Sequence, residues 1–165
     1  MKTLLILRHA KSSWKEDGLT DHDRPLNKRG KRDAPRVGEL LRDTDLAPNL
    51  IISSTAKRAR KTASKVAKKC QYEGVIELTG ELYLAPASCY LQVLRNVPDQ
   101  YDRVMVVGHN PGLEELLSVL TGHSTPLPTA ALAQIELAID RWQDLDESAQ
   151  GKLLDLWLPK ELNEH

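Results

Sequence analysis

Three short apolar runs, each stopping abruptly at polar or charged residues, constrain this chain more than any other feature. They are Thr3 to Leu7, Leu50 to Ile52, and Val104 to Val107 within the stretch that begins at Arg103. Continuous runs of this length suit strands buried on both faces rather than alternating surface strands. Each is followed by apolar residues at three-to-four spacing, the mark of a helix with one buried stripe. After the first come Ala34, Val37, Leu40 and Leu41, in a helix opened by Pro25-Leu26-Asn27. The second precedes Ala59, Thr62, Ala63, Val66 and Ala67, and the third precedes Leu113, Leu116, Leu117 and Leu120, closed by Thr121-Gly122. A weaker strand is predicted over Val75 to Leu78, with a helix opening at Pro86 and running through Leu91 and Leu94. Ala131 to Ile139 alternates as a strand, and Lys152 to Leu158 reads as an edge strand after a loop. Strands alternating with helices predict a layered α/β domain.

The chain's 165 residues suit a single domain, 1–165. Lysine plus arginine total 23 and aspartate plus glutamate total 23, so no overall basic excess points to nucleic acid. The apolar stretch near the start meets Arg8 too soon for a signal peptide, which needs about seven apolar residues or more. No stretch approaches the roughly twenty apolar residues of a membrane helix. Cys70 and Cys89 lack metal-type spacing and read as free thiols of a reducing compartment. The expectation is a soluble cytoplasmic protein with no membrane or nucleic-acid partner.

In open α/β sheets ligands gather where strands run into helices. Three such junctions carry reactive or anion-binding groups: Arg8-His9, Ser54 to Arg58, and Gly108-His109. Arginine presents a planar fork of donors that matches phosphate oxygens. Histidine, with a reference pKa near 6.5, is a neutral nucleophile at physiological pH, and a covalent phosphohistidine divides hydrolysis into two easier steps. A metal between His9 and His109 is disfavoured, because flanking arginines repel a cation and no carboxylate or cysteine spacing completes a ligand set. No cofactor is called for.

The segment Leu7-Arg8-His9-Ala10 resembles the Arg-His-Gly signature of the histidine phosphatase superfamily. Asp23-Arg24-Pro25-Leu26, followed by Gly30 and Ala34, is similar to that family's Asp-x-Pro-Leu-x-x-x-Gly-x-x-x-Ala helix opening. Ser54 to Ala63 resembles its Ser-x-x-x-Arg-Ala-x-x-Thr-Ala element, which singles out Arg58 from its basic neighbours. Val106 to Asn110 resembles the segment that bears the second histidine. The likeness runs from about Met1 to Ile139, and Arg8-His9-Ala10-Lys11-Ser12 is most similar to the SixA branch of phosphohistidine phosphatases. It implies a phosphoglycerate mutase-like three-layer sandwich, with a mostly parallel central sheet, flanking helices and antiparallel members among the last strands. It also implies that His9 is the nucleophile and that Arg8, Arg58 and His109 form the phosphate pocket, with Ser12 a candidate substrate contact.

The chain departs from the pattern at Ala10, which replaces glycine, at Lys11, and at Lys15, where many members carry a phosphate-contacting asparagine. Larger members use a glutamate after the third strand as proton donor. Glu81 is the candidate here, ahead of Asp21 and Asp23. An alkoxide leaves poorly without a proton, whereas imidazole leaves readily. Lacking a firmly placed acid, the sequence favours phosphohistidine on a signalling protein of the histidine phosphotransfer type. A phosphatase of small phosphomonoesters and a non-catalytic phosphate-binding module are the alternatives.

Overall fold

The computed structural model describes residues 1–162, so the last three residues of the expected domain lie outside the described residues. Six strands form one sheet: β1 (Lys2–Arg8), β2 (Leu50–Ser54), β3 (Glu77–Thr79), β4 (Arg103–Gly108), β5 (Leu132–Leu137) and β6 (Gly151–Trp157). Their spatial order is β3-β2-β4-β1-β5-β6. The pairs β1–β4, β2–β4 and β2–β3 are parallel, and β1–β5 and β5–β6 are antiparallel. This is the expected mostly parallel sheet, with the direction change confined to the late strands.

Helices α1 (Lys28–Asp43), α2 (Lys57–Lys69), α3 (Ala87–Arg95) and α4 (Gly112–Thr121) connect the strands, and a short α5 (Pro159–Leu162) ends the described chain. The continuous apolar runs are explained by burial on both faces. Leu4 and Ile6 of β1 pack with Leu50, Ile52, Val104 and Val106 in the core that holds Leu91 and Leu94 of α3 and Leu113 and Leu117 of α4. Leu5 and Leu7 turn the other way, joining Ile51, Met105 and Val107 against Val37 and Leu41 of α1 and Ala63 and Val66 of α2. Each fully buried Leu, Ile or Val contributes about 1.5–3 kcal/mol relative to exposure, so replacing either layer's strand residues with polar ones would remove the reason for the sandwich.

Local signals set the helix ends. The Asn27 side chain accepts a hydrogen bond from the Gly30 N–H at 2.9 Å, capping α1 where the sequence predicts its opening. Gly122 ends α4 with a left-handed φ of 79°, a conformation that costs glycine little. The third strand falls at Glu77–Thr79 rather than Val75 to Leu78, because only these residues come into register with Ile52–Ser54. Val75 lies outside the ladder, 82% exposed. Among the described residues no helix is long and apolar enough to cross a membrane.

Candidate active site

The parallel register brings two distant histidines to one edge. Arg8, the last residue of β1, pairs with Gly108, the last of β4, and the His9 N–H donates to the Gly108 carbonyl at 3.1 Å. His9 and His109 therefore leave adjacent strands together, with ring centroids 5.1 Å apart. Gly108 is required by close approach, since a Cβ there would lie 2.0 Å from the Tyr90 hydroxyl oxygen. That oxygen accepts the His109 N–H at 3.2 Å and so anchors the second histidine's backbone to α3.

The tautomer of His9 follows from its partner. Its Nδ1 lies 2.8 Å from the Ala10 carbonyl, which can only accept, so Nδ1 carries the proton and Nε2 keeps the lone pair. Ala10 is itself held: it is wholly buried, and its N–H donates to Thr62 Oγ1 of α2 at 2.9 Å. Burial lowers the His9 pKa to about 4; the Ala10 hydrogen bond opposes this, and the charges of Arg58, Arg8 and Arg24 add to it. Neutral imidazole is thus the form at physiological pH.

His109 is deprotonated by the same physics. Burial comes first, then the neighbouring His9 and Arg58, and together they take its pKa down to about 3. Its Nε2 lies 2.8 Å from Ser54 Oγ, a fully buried hydroxyl with one proton to place. Donation from Ser54 to Nε2 leaves the proton on Nδ1, a buried nitrogen with no hydrogen-bond partner among the described residues. An N–H among arginine charges is suited to an anion's oxygen.

Arg58, on the first turn of α2 and 4% exposed, donates from Nη1 to the Asp21 carbonyl at 2.7 Å and from Nη2 to Asp21 Oδ2 at 3.0 Å. Arg8 donates from Nη1 to the Leu127 carbonyl at 2.9 Å, and its buried Nε has no hydrogen-bond partner among the described residues. The structure thus gathers His9, His109, Arg8 and Arg58, the four residues expected to meet. Ser12 is buried, and its hydroxyl is engaged by Arg24 Nη2.

Arg24 itself was not singled out from the sequence. It is buried at 9% exposure, its charge acts on His9, and its guanidinium lies 3.3 Å over the Trp14 ring. Its signal was present in Asp23-Arg24-Pro25-Leu26, a segment that also reads as a helix opening. Tyr83 was likewise missed. Its ring stands edge-on to His109 at 5.6 Å and to His22 at 4.9 Å, and its hydroxyl donates to Asp21 Oδ2 at 2.5 Å. Asp21 accepts from Tyr83 and Arg58, and these bonds hold its carboxyl below the usual carboxylate range.

Among the described residues Glu81 makes no hydrogen bond or ion pair with this group, its N–H donating to Thr79 Oγ1 at 3.2 Å. It is exposed on a single turn of 3₁₀ helix, Gly80–Leu82, and lines a hollow with Ser88, Cys89, Gln92 and Asn96. None of the histidines or arginines of the site borders that hollow.

The sheet order, the helices on both faces and the edge at which the histidines meet define a phosphoglycerate mutase-like α/β protein. Residues 4–83 match the histidine phosphatase superfamily (branch 1). The chain is 33% identical over 156 residues to an uncharacterized chloroplastic protein of Arabidopsis thaliana, covering 87% of this chain and 70% of that one. A structure from Agrobacterium tumefaciens assigned as the phosphohistidine phosphatase SixA superposes with a TM-score of 0.83 at 30% identity, over 96% of this chain and 98% of the other. The protein histidine phosphatase SixA complexed with tungstate has the same fold, with a TM-score of 0.82 at 22% identity over 97% and 99% of the two chains. This chain belongs to the histidine phosphatase superfamily.

Proposed function

We propose that this chain is a phosphohistidine phosphatase acting in the cytoplasm as one domain, with His9 as the nucleophile and a phosphorylated signalling protein as its substrate. The observation that carries the proposal is the Nδ1–Ala10 hydrogen bond, which leaves His9 Nε2 as a neutral lone pair among Arg8, Arg24 and Arg58. Nε2 attacks phosphorus, and the bond from phosphorus to the leaving nitrogen breaks. The substrate imidazole, having taken a proton from solvent on its other ring nitrogen, departs neutral. Water then attacks phospho-His9, releasing inorganic phosphate and restoring the free imidazole. The arginines and the His109 N–H hold the phosphoryl oxygens as their charge redistributes.

The carboxylates favour phosphohistidine over an ester. Asp21 is held ionised by Tyr83 and Arg58. Glu114 Oε2 accepts from Asn110 Nδ2 at 2.9 Å and from the Leu127 N–H at 3.0 Å. Glu81 lines a different hollow. With none of the three set to protonate an alkoxide, a leaving group that needs no positioned acid is the better match. The likeness to SixA structures and the free thiols Cys70 and Cys89 agree with a phosphoprotein substrate and a reducing compartment, respectively.

The test compares a protein phosphorylated on histidine with a panel of small phosphomonoesters, with quenching in alkaline detergent to preserve the intermediate. Faster turnover of the phosphoprotein and acid-labile phosphate on His9 are expected. Preference for a small ester would overturn the substrate, and phosphate binding that never labels His9 would overturn the catalytic reading.

A further inference from the structure

A groove of ≈ 620 Å³ runs along the outside of the site, between the segment after His9 and the start of α1. One wall is Lys11 to Glu16 and the other is Pro25 to Arg29 with Lys31. In a chain whose charges balance overall, it is lined by five cations, Lys11, Lys15, Lys28, Arg29 and Lys31, and by Glu16 as its one acidic residue. Lys11, Lys15, Lys28 and Lys31 are exposed and enter no ion pair within 4.0 Å among the described residues. Arg29 is the exception, reaching the buried Asp33 at 3.6 Å. Like charges held this close repel one another, so a helix start and a loop built this way favour an external anionic partner.

Trp14 adds a second independent feature. It is 72% exposed, the most exposed aromatic side chain among the described residues, and it stands in the groove wall with Arg24 stacked on its face. An exposed indole in a groove lined by cations is the composition of an interface anchor, with apolar area beside charge. The groove also meets the site directly, because Lys11 and Ser12 follow the His9–Ala10 pair and the Lys11 carbonyl accepts the Asn27 N–H at 3.0 Å.

We propose that this groove docks an acidic face of the protein that carries the phosphohistidine, selecting that substrate by charge outside the catalytic pocket. This rests on the phosphoprotein reading above and adds the chemistry of the partner. A free small phosphate ester is too short to occupy both the pocket and the groove, so the groove distinguishes protein substrates from metabolites.

The test uses the full chain and the variant Lys28→Glu/Lys31→Glu. Both positions lie on the first turn of α1, where the helix dipole favours acidic side chains, so the fold is preserved. The probes are phosphoramidate and two phosphohistidine peptides of equal length, one flanked by glutamates and one by serines. Wild type should prefer the glutamate peptide by about tenfold in kcat/KM at low salt, and the preference should vanish near 0.5 M salt as charges are screened. The variant should lose that preference while hydrolysing phosphoramidate at the wild-type rate. An equal preference in both proteins, or an equal loss on phosphoramidate and peptide, would overturn the docking site. Binding of the unphosphorylated glutamate peptide, followed by tryptophan fluorescence, separates the two proposals. Should neither phosphopeptide be hydrolysed, weaker peptide binding by the variant still supports the groove, and equal binding rejects it. Anionic vesicles outcompeting the glutamate peptide on wild type would also reject it, in favour of a membrane surface.

Discussion

His9 combines burial with reactivity because its environment penalises the charged ring while leaving one nitrogen open. His9→Ala should abolish turnover, a loss of at least about a thousandfold, yet retain the fold, since the residue lies beyond the end of β1. Residual activity near the wild-type level, or loss of the circular dichroism spectrum, would contradict that role. The tautomer gives a second handle. Nitrogen-15 spectra of labelled histidine should show His9 neutral with the proton on Nδ1 down to about pH 5, consistent with its pKa of about 4. A tetrahedral oxyanion such as sulfate, which stays a dianion in this range and forms no bond to Nε2, adds negative charge and should raise the pKa of both rings, so its binding should take up protons below about pH 6. Calorimetry in two buffers of different ionisation enthalpy measures that uptake, and none at pH 5 would mean that the rings do not face the anion. At this scale Arg8, His9 and His109 were legible because each follows directly on an apolar run, and Arg58 because its segment, Ser54 to Ala63, resembles a family element that picks it out from its basic neighbours. Arg24 was not, because its burial depends on Trp14 and Asp21, which approach it only through the folded loop.

Elements place these residues through contacts that a motif does not display. The approach of α3 to the end of β4 depends on the missing side chain at Gly108 and on Tyr90, which is wholly buried and pushed up to about pKa 12 chiefly by that burial. Gly108→Ala should destabilise the protein by about 1–3 kcal/mol, the usual range for forcing a methyl group into a packed core. Tyr90→Phe removes the oxygen that the new Cβ would strike but strands the buried His109 N–H, costing about 1–3 kcal/mol alone. The double variant should therefore be less destabilised than the sum of the singles, and urea unfolding of all four proteins would reveal it. Strict additivity would show that the two positions do not meet. The core strands were readable because burial on both faces leaves a continuous apolar signature. Strand β3 was harder, since an edge strand of three residues is set by its register with β2 rather than by its own composition.

The order β3-β2-β4-β1-β5-β6 lies beyond any single segment, because alternation identifies strands but not their neighbours. That order makes β1 and β4 adjacent, and with them two histidines whose burial is a property of the whole fold. Both have pKa values lowered from 6.5, to about 4 and about 3. In the unfolded chain each would bind a proton near 6.5, so below that pH the unfolded state holds more protons than the native one. Stability is then fully present above about pH 6.5 and falls as the pH drops toward the folded-state values. Between pH 7.5 and 5.0 the two rings together should cost ~4 kcal/mol of unfolding free energy. Urea titrations at these two pH values measure the difference, and His9→Ala supplies the control. Removing one of the two rings should leave about half of the pH-dependent loss. A loss in the variant as large as in wild type would place the pH dependence elsewhere in the molecule and would refute the burial of a neutral His9.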